Sequence, residues 1–499
     1  MKPERLSTGV DPHALLLQPR LAASVEASPP GERRLRLPLA RLDAAVEMLL
    51  EHHGRLIGLF LTAEPEPALL VPVAFRGEIV ALRASLDGAR EYPALSRISP
   101  AALLMERELH DRHGILPVGH PGLGPVVHPD LDRLDQRIVG DDVFAIPYGP
   151  IRSGIFESIQ YLIETGGEDV LTLDVRPFFK HRRLEARFTD LPLEQAVVLS
   201  ERIAGIAGIA HASAFAQAVE RALGVEAPRR AQRWRAIHAE LERVANHLDV
   251  ATRLAEDCAL AVGVARFGIL KEDVMRLRAR LCGSRFGRGV IVPGGINTPP
   301  LVEPVEVLRD LDRFERDYRR DRRLLLATTS FTDRLIGSGQ LDRETMGLYG
   351  GVGPVARGSS VSTDARFERP YGAYVRLGAR LITETAGDAM ARLQVRLEEI
   401  DVSLHVIRQA FERLDKYDAE LRVELPRAVT AAAFGWAEAP MGELVYWVEL
   451  DEGRVRTVRI ASPSLRNWPL FAESFRGDVL TDFSFIEHSF GLTQAGADR

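Results

Sequence analysis

Apolar and polar positions follow two different periods in the first part of the chain. RRLRLPL alternates with a period of two, and LIGLFLTA and LLVPVAF are short apolar runs, all typical of strands. RLDAAVEMLLEHHG and SPAALLMERELHDRHG instead place their apolar residues at helical spacing. The sequence therefore predicts an α/β domain over 31–130, preceded by an irregular tail over 1–30 and left through the loop HPGLGPVVHPD.

Long helices dominate the pattern in the rest of the chain. In 230–250, Ile237, Leu241, Val244 and Leu248 share one face, and in 387–415 the apolar residues step by four and three. Short β regions are predicted at GGEDVLTLDVRP and RLEARF, and a hairpin at GELVYWVEL, DEG and RVRTVRI. The predicted fold class is α+β: the N-terminal α/β domain, then a mainly helical domain over 140–499 with small β regions at its start and C-terminal end.

Composition narrows the class of protein. With 499 residues, 46% hydrophobic and 27% charged, the chain has the make-up of a soluble globular protein. A net charge of −6 gives no electrostatic footprint for nucleic acid, so we expect no such partner. The two cysteines, Cys258 and Cys282, exclude a disulfide framework and an Fe–S cluster held by four thiolates of this chain. They favour a reduced, cytosolic setting.

The sequence also gives expectations about membranes. MKPERLSTGVDPH lacks the apolar core of a secretory signal. No run of about 18 uncharged apolar residues is present, as a spanning helix would need. The nearest candidate, CALAVGVARFGIL at 258–270, is short and carries Arg266, so we interpret it as a buried helix. We therefore expect no transmembrane segment, and any membrane role must come through partners.

One short motif raises the question of chemistry. ERIAGIAGIAHASAF, residues 201–215, sets small residues between isoleucines. With cysteines in place of Ala204 and Ala207 it would read RICGICGIAH, the nickel-binding signature of a hydrogenase large subunit. Small residues also let a helix approach its neighbours closely, and that packing role does not depend on a metal.

Several further stretches carry a resemblance to one family. ERELHDRHGILPVGHP at 106–121 resembles the signature of the C-type (30-kDa) subunit of respiratory complex I. The rest of the chain resembles the D-type (49-kDa) subunit of complex I and the related large subunit of energy-converting, group 4 [NiFe] hydrogenases. The matching stretches are GPIRSGIFES, HRRLEARF, ELERVANHL, RLCGSRFGR, PGGI, GPVARGSSVSTDARFERPY, GDAMARLQVR, EAPMGEL, SPSLRNWP, HSFG and the final Asp498–Arg499. Their order implies a C-type domain fused to a D-type domain.

The hydrogenase side of this resemblance implies four cysteines in two Cys-x-x-Cys pairs, because thiolates hold nickel and iron. The former ligand positions in this chain are Ala204, Ala207, Thr493 and Gly496, the last two by alignment on the terminal ADR. None of them supplies a thiolate, so we predict no NiFe centre and no other metal bound by this chain. Met441 stands where the family usually has an arginine over the metal.

The complex I side implies a quinone head group held by a loop histidine and a helix tyrosine. Arg152 in GPIRSG stands at or beside the histidine position, and the tyrosine position falls near Gly205. Arginine offers five donors in a fixed fork, which suits a polar or anionic head group. An ion pair between Arg152 and a neighbouring acid is the alternative. Arg152, His181 and His211 are the candidate catalytic residues.

The other candidates each have two readings. His181, with Arg182, Arg183 and Glu185, either lies near the mouth of the former cavity or belongs to a solvated surface cluster. His211 either takes part in catalysis or donates to a backbone carbonyl. Four residues of ELERVANHL either pair between helices or feed a proton path. These are Glu240, Glu242, Arg243 and His247.

Two motifs invite readings that their context disfavours. A metal site at four histidines is disfavoured because the surrounding loop matches the C-type signature. These are His110, His113, His120 and His128. GGVGPVA at 350–356 fits G-x-G-x-x-A, but Pro354 predicts a loop and not a dinucleotide-binding turn.

The resemblance implies a large peripheral-arm subunit of a membrane-bound oxidoreductase, on the cytoplasmic inner face of the membrane. Its implied partners are a small Fe–S subunit and antiporter-like membrane subunits, with electron transfer coupled to ion translocation. The electron acceptor would bind in the remnant cavity, with quinone as one candidate, while NAD belongs to other subunits of complex I. Two alternatives stay open: a non-catalytic scaffold subunit, and a divergent quinone-site subunit of an NADH:quinone oxidoreductase.

Overall fold

The computed structural model describes residues 17–18, 21–63, 66–127, 143–152, 157–297, 299–412, 414 and 419–499. Most of the predicted tail, part of the exit loop with His128, and residues 153–154 of the GPIRSG loop lie outside these residues. The chain divides into two compact units between Gly124 and Pro125. Helices and strands occur in both units, and the fold class is α+β, as predicted.

The first unit is built on a mixed sheet with strand order β1-β2-β6-β5-β3, in which β4 also pairs with β5. Its elements are β1 Ser24–Glu26, β2 Glu32–Leu37, α1 Leu42–Glu51, β3 Arg55–Leu56, β4 Phe60–Leu61, β5 Ala68–Phe75, β6 Glu78–Ser85, β7 Glu91–Pro93, α2 Leu103–His113 and β8 Leu116–Val118. Strands β2 and β6 pair in parallel, with Leu35 opposite Leu82, while β5 pairs antiparallel to β6. The whole of β5 is buried, as its apolar run predicts.

The second unit begins with a three-stranded antiparallel sheet and continues into long helices. Its elements up to the last long helix are β9 Phe144–Tyr148, β10 Gln160–Thr165, β11 Val170–Arg176, α3 Leu184–Arg187, α4 Leu193–Ser200, α5 Gly208–Leu223, α6 Arg229–Asp257, α7 Ala261–Cys282, β12 Ile291–Val292, β13 Gly295–Ile296, α8 Pro304–Leu326, α9 Thr329–Thr332, α10 Arg343–Leu348, α11 Gly353–Arg357, α12 Ala365–Glu368 and α13 Ala389–Phe411. Helices α6, α7 and α13 pack around one hydrophobic core.

The C-terminal part returns to a sheet. A meander of β14 Ala431–Ala439, β15 Gly442–Asp451 and β16 Arg454–Ala461 is followed by α14 Pro463–Glu473, α15 Phe483–Phe490 and α16 Gln494–Ala497. Helix α5 lies directly on β14, and a Cβ added to Gly435 would come 2.2 Å from the carbonyl oxygen of Ala214. Only glycine allows so close an approach.

Three local predictions were wrong. RLEARF is the short helix α3 and not a strand. LIGLFLTA is broken into the two short strands β3 and β4. GGVGPVA is not a loop throughout, because helix α11 begins at Gly353.

The predicted buried helix at 258–270 is α7, whose Val262 is 71% exposed, so one face is open. Among the described residues, no helix has the length and apolarity needed to cross a membrane.

Candidate functional site

The motif at 201–215 is a loop that runs into a helix. Ala204 has an extended backbone, a 3-10 turn covers Gly205–Ala207, and α5 starts at Gly208, so Ala204 precedes the helix and is not part of it. Glu242 of α6 accepts hydrogen bonds from the amides of Ile209 (2.8 Å) and Ala210 (3.0 Å). These are orphan donors of the first turn, so a buried carboxylate fixes where the helix begins.

Three of the four positions that the resemblance predicts as former metal ligands lie side by side. A Cβ added to Gly496 would be 2.9 Å from Cγ2 of Thr493 and 3.9 Å from Cβ of Ala204. Ala204 and Thr493 are 1% and 4% exposed, and Ala207, at the end of the 3-10 turn, is fully buried. The small side chains therefore fill the ligand position by direct contact.

One guanidinium joins the two segments that carry these positions. Arg182 donates to the carbonyls of Arg202 (3.1 Å) and Ile203 (2.7 Å) just before Ala204, and to the carbonyl of Ala495 (3.2 Å). The five donors of arginine make such a multiple contact possible. The motif loop and the C-terminal segment are thus linked by hydrogen bonds beside the positions that the resemblance predicts as former metal ligands.

Further side chains hold the C-terminal segment. The carboxylate of Asp498 accepts from the amides of Phe178 (2.8 Å) and Lys180 (2.9 Å), and Nδ1 of His181 lies 2.9 Å from its carbonyl oxygen. Arg499 donates to Glu185 at 2.9 Å. Glu185 is 2% exposed, so the reading of this group as a solvated surface cluster is wrong for Glu185. Arg182, which bridges the two segments, is half-buried, and Arg183 is exposed.

Glu157 was not singled out in the sequence, although it belongs to the matched stretch GPIRSGIFES. Its carboxylate accepts from the hydroxyl of Thr493 at 2.8 Å and 2.9 Å, and from the amides of Gln494 and Ala495. Thr493, Gln494 and Ala495 lie at the start of α16. A former ligand position is therefore hydrogen-bonded to an acid from the start of the second unit.

A polar cavity of about 180 Å³ lies beside this cluster of positions. We call it the remnant cavity. Its lining residues are Arg152, Glu157, Ile206, Asn246, Asp249, Val250, Arg253, Trp468, Glu487, His488, Gly491, Leu492, Thr493 and Gln494. Asn246 is 5% exposed, and its Oδ1 has no hydrogen-bond partner within the described part of the chain. His488 pairs with Asp257 at 2.6 Å. The ligand position is thus closed, while the space next to it remains open.

Arg152 lies in the wall of the remnant cavity. Its guanidinium pairs with Glu487 at 2.8 Å and sits 5.3 Å from the ring centres of Tyr148 and Tyr161. Tyr161 donates to the same carboxylate at 2.7 Å. Although burial opposes the charged form, Glu487 raises the pKa of Arg152. The ion pair that the sequence left open is present, and a contact of Arg152 with a ligand stays a prediction.

Comparison with known proteins identifies the family. The family described as respiratory-chain NADH dehydrogenase, 49 Kd subunit, matches residues 267–433. Hydrogenase-4 component G of Escherichia coli (strain K12) is 30% identical over 454 residues, which covers 84% of this chain and 78% of that protein. The chain belongs to the family of complex I and hydrogenase large subunits.

Relatives from both branches of this large-subunit family are similar to the chain. Formate hydrogenlyase subunit 5 of the same organism is 29% identical, covering 84% of this chain and 79% of that protein. A D-type subunit of the NADH-quinone oxidoreductase of Opitutus terrae is 28% identical, covering 72% and 91%. The chain is thus of the oxidoreductase-subunit type that hydrogenases and complex I share.

The donor set does not fit the metal of the hydrogenase branch. In this chain the predicted former ligand positions carry two alanines, a threonine and a glycine. None of these side chains can bind nickel as a thiolate does. Cys258 follows α6, and Cys282 ends α7, where its thiol donates to the carbonyl of Arg278. Met441 lies in the buried connection between β14 and β15. Nickel chemistry therefore plays no part in the function proposed for this chain.

His211 is enclosed in the core of the large-subunit fold. It is 2% exposed, and its Nδ1 lies 2.7 Å from the hydroxyl of Tyr446 on β15, not against the backbone carbonyl that the sequence reading offered. Burial lowers the pKa of His211 to about 3, so the imidazole is neutral. This contact joins α5 to the C-terminal sheet, and a catalytic role for His211 stays a prediction.

Glu240, Arg243 and His247 of ELERVANHL belong to a larger group that we call the buried ion cluster. Its members are Glu240, Arg243, His247, Arg357, Asp364, Arg366, Glu399 and Glu438. Arg357 pairs with Glu399 (2.7 Å) and Glu438 (3.0 Å), and Arg366 pairs with Asp364 (2.7 Å) and Glu240 (3.1 Å). Pairing between helices is therefore present. Glu242 stands outside it, at the start of α5.

The N-terminal histidines show no common site in the residues described. His120 contacts the carbonyl of Leu103 at 3.2 Å and accepts from the amide of Gly122 at 3.0 Å. His110 lies 3.6 Å from Asp111. No three histidine, cysteine, aspartate or glutamate side chains in the described ranges group as a metal site. His128 lies outside those ranges.

Proposed function

We propose that this chain is the large peripheral-arm subunit of a membrane-bound, complex I-like or hydrogenase-related oxidoreductase, and that it holds no NiFe centre. One observation carries the proposal: the former ligand positions still meet, without thiolates, and a polar cavity with a paired arginine lies next to them. Because the segments that carry these positions still meet beside an open cavity, we favour a site that is still in use.

The proposal assigns the cofactor to a partner. A small Fe–S subunit packs against the motif loop, the GPIR loop and the C-terminal segment, and antiporter-like membrane subunits complete the complex on the inner face of the cell membrane. Exposed apolar residues on two of these segments support a covered surface, since Ile151 is 92% exposed and Ile206 is 36% exposed.

In this proposal, electrons from the Fe–S cluster reach an acceptor in the remnant cavity. An acceptor that gains negative charge there acts on the Arg152–Glu487 pair, because charges interact strongly where water is excluded. A shift of that pair moves the loop that carries Arg152, and the loop passes the change to the ion-moving subunits. Quinone is the candidate electron acceptor of the complex I branch, with Arg152 as the hydrogen-bond donor to its head group.

A scaffold subunit is the second candidate function. The closed ligand position and the bridging Arg182 favour it, because both stabilise the frame without any redox group. A divergent quinone-site subunit is the third, and it shares the cavity with the first.

The first experiment is affinity purification of the chain from gently solubilised membranes, followed by mass spectrometry. Recovery with a small Fe–S subunit and antiporter-like subunits is the expected result. Recovery of the chain alone, in the soluble fraction, would overturn the proposal.

A variant then separates a used cavity from a scaffold. Arg152→Ala is expected to leave the complex assembled but to lower its electron-transfer activity. Arg266→Ala is the matched control, because it removes an arginine that pairs with Asp321 at 2.9 Å away from the cavity. A fully active Arg152→Ala complex would favour the scaffold.

A further inference from the structure

The outward side of helix α8 is made largely of arginines. Its inward side fixes the orientation of the helix, because Val307, Phe314 and Tyr318 are buried and the hydroxyl of Tyr318 donates to the carbonyl of Leu397 on α13 at 2.5 Å. At 3.6 residues per turn, the opposite side of α8 carries a row of exposed bases. These are Arg309, Arg313, Arg316, Arg319, Arg320 and Arg323, and we call them the arginine ridge.

The acids on one flank of α8 are shared with arginines of the neighbouring helix α7. Arg280 of α7 pairs with Glu306 at 3.1 Å and also with Asp310. Arg266 of α7 pairs with Asp321 at 2.9 Å. The bases of α7 therefore take up negative charge that could otherwise balance the ridge.

The other flank of α8 repeats this arrangement with helix α13. Arg408 of α13 pairs at 2.7 Å with both Asp312 and Glu315. Asp312 is the acid of α8 that stands among the arginines of the ridge, and it is exposed. Its charge is thus already matched by an arginine from outside the ridge.

Half of the ridge has no acid partner. Three of its members pair with acids one turn away on α8 itself. In contrast, Arg309, Arg316 and Arg323 have no ion-pair partner among the residues that the structure describes. They recur at every seventh residue and therefore stand on a straight line, about 10.5 Å apart. The outward side of α8 thus carries an excess of positive charge, although the whole chain has a net charge of −6.

Exposed apolar side chains accompany both ends of the ridge. Val305, one turn before the first arginine and on the same side of α8, is 62% exposed, and Leu324, beside the last arginine, is 60% exposed. Val262 and Ile269 of α7 are 71% and 51% exposed. They lie one turn before and one turn after Arg266, which pairs with the last part of α8.

This combination of groups suits the surface of an anionic lipid bilayer. A guanidinium presents a planar fork of donors that matches a phosphate group. Helices that bind bilayer surfaces combine such bases with apolar side chains that enter the boundary of the acyl chains. Rows of about four to eight bases on a helix are typical of segments that bind anionic lipids. Because the unpaired arginines stand on a straight line at equal spacing, they can meet a flat array of phosphates without any deformation of the helix.

We propose that the arginine ridge binds the phosphate headgroups of an anionic lipid bilayer, with Val305 and Leu324 of α8 and Val262 and Ile269 of α7 entering the bilayer surface. This contact goes beyond the proposed function, in which partner subunits attach the chain to the membrane. It involves neither the remnant cavity nor electron transfer, so it can fail while the proposed function holds.

The test is cosedimentation of the purified full-length chain with lipid vesicles. The wild type is expected to bind vesicles made of equal parts of phosphatidylglycerol and phosphatidylcholine, and not vesicles of phosphatidylcholine alone. Added salt should weaken this binding, because it screens exposed charges. Binding to both kinds of vesicle alike, or to neither, would overturn the proposal.

Charge reversal locates the contact on the chain. The triple variant Arg309→Glu, Arg316→Glu and Arg323→Glu should lower the affinity for the anionic vesicles by about a hundredfold or more, given the contribution of each arginine near an anionic surface. The matched control reverses three exposed arginines elsewhere in the second unit, which are likewise unpaired in the described part of the chain, and should lower it by less than about fivefold. The control residues are Arg187, Arg343 and Arg427. Equal losses would overturn the proposal, because the overall charge of the chain would then govern binding.

A measurement on the wild type keeps the test decisive if the triple variant does not fold. Phenylglyoxal modifies accessible arginines, and mass spectrometry identifies each modified site. Anionic vesicles should protect Arg309, Arg316 and Arg323 from the reagent and leave Arg343 and Arg427 reactive. Ridge arginines that stay reactive in the vesicle-bound chain would refute the proposal. If the wild type binds no vesicles and the triple variant instead releases a protein from the purified complex, the ridge is a protein contact and the lipid proposal is wrong.

Discussion

The region around the former ligand positions is held mainly by side chains that bind backbone atoms, whereas the buried ion cluster is held mainly by side chains that bind one another. Glu157, Arg182 and Glu242 contact amides and carbonyls that any residue can supply. Arg357 and Arg366 contact carboxylates that only two residue types can supply. The first kind of region can keep its shape without metal ligands. The second kind is destabilised when any one of its charged side chains is removed.

The largest effect is expected inside the ion cluster. Arg357→Met should lower the free energy of unfolding by about 3–5 kcal/mol, because it removes the guanidinium that pairs with buried Glu438 and the nearest of the guanidinium groups around Glu399. Urea denaturation followed by circular dichroism measures the loss. Arg266→Ala, at a pair whose arginine is 38% exposed, should cost only about 0–1 kcal/mol. Equal losses in the two variants would mean that burial gives the cluster no special dependence on its charges.

The next effect is a pH dependence in the ligand region. Because the pKa of Glu242 is raised to about 7 in the folded chain, its contribution to stability is complete below the unfolded pKa near 4.5 and is lost as pH rises through 7. Between pH 4.5 and 7 the wild type should therefore lose about 3 kcal/mol in the free energy of unfolding through this group, and Glu242→Gln should abolish that loss.

The measurement is the urea midpoint against pH for the wild type and Glu242→Gln. Buried histidines act in the opposite sense, since the pKa of His211 is lowered to about 3 and its contribution is lost as pH falls below about 6.5. They are common to both proteins, so the difference between the curves isolates Glu242. Parallel curves would show that Glu242 has the same pKa in the folded and unfolded chain.

A smaller effect is expected where one guanidinium joins the motif loop to the C-terminal segment. Arg182→Ala should cost about 1–2 kcal/mol and speed hydrogen exchange in residues 493–499, because three carbonyls lose their donor. The neighbouring Arg183→Ala is the control, since Arg183 is exposed and should leave exchange unchanged. Equal exchange in the two variants would mean that the segment is held without Arg182.

The smallest effect tests how closed the ligand position is. Gly496→Ala should cost about 1 kcal/mol, because the new Cβ would lie 2.9 Å from Cγ2 of Thr493. Gly205→Ala, in the same region but with no atom within 4 Å of the added Cβ, should stay within about 0.5 kcal/mol of the wild type. Melting temperatures give both values, and a neutral Gly496→Ala would indicate remaining space at the former metal position.

Local patterns in the sequence predicted the long elements well. The helix expected over 387–415 is Ala389–Phe411, and the C-terminal hairpin is present. RLEARF misled because Leu184 and Phe188 satisfy both the alternation of a strand and the i, i+4 spacing of a helix. Strand β14 escaped notice because it is rich in alanine, and close packing against α5 overrides its weak propensity.

The candidate site was predictable only in part. Comparison of motifs predicted four former ligand positions, and the structure brings three of them together. The contacts that join these segments could not be predicted from the sequence, because Arg182 and Ala495 are 313 positions apart and Glu157 and Thr493 are 336 apart. No local periodicity records such a pairing. The cluster was foreseen at ELERVANHL, but its partners come from three other segments of the chain.

The binding of residues 493–499 by side chains of 157–185 also has a consequence for biogenesis. The motif loop and its acids are synthesised more than 280 residues before the segment that completes them. During translation this region therefore waits with its polar groups in water, and it closes only after residues 493–499 have left the ribosome. A partner that covers this face can therefore meet its finished surface only after residues 493–499 have been made.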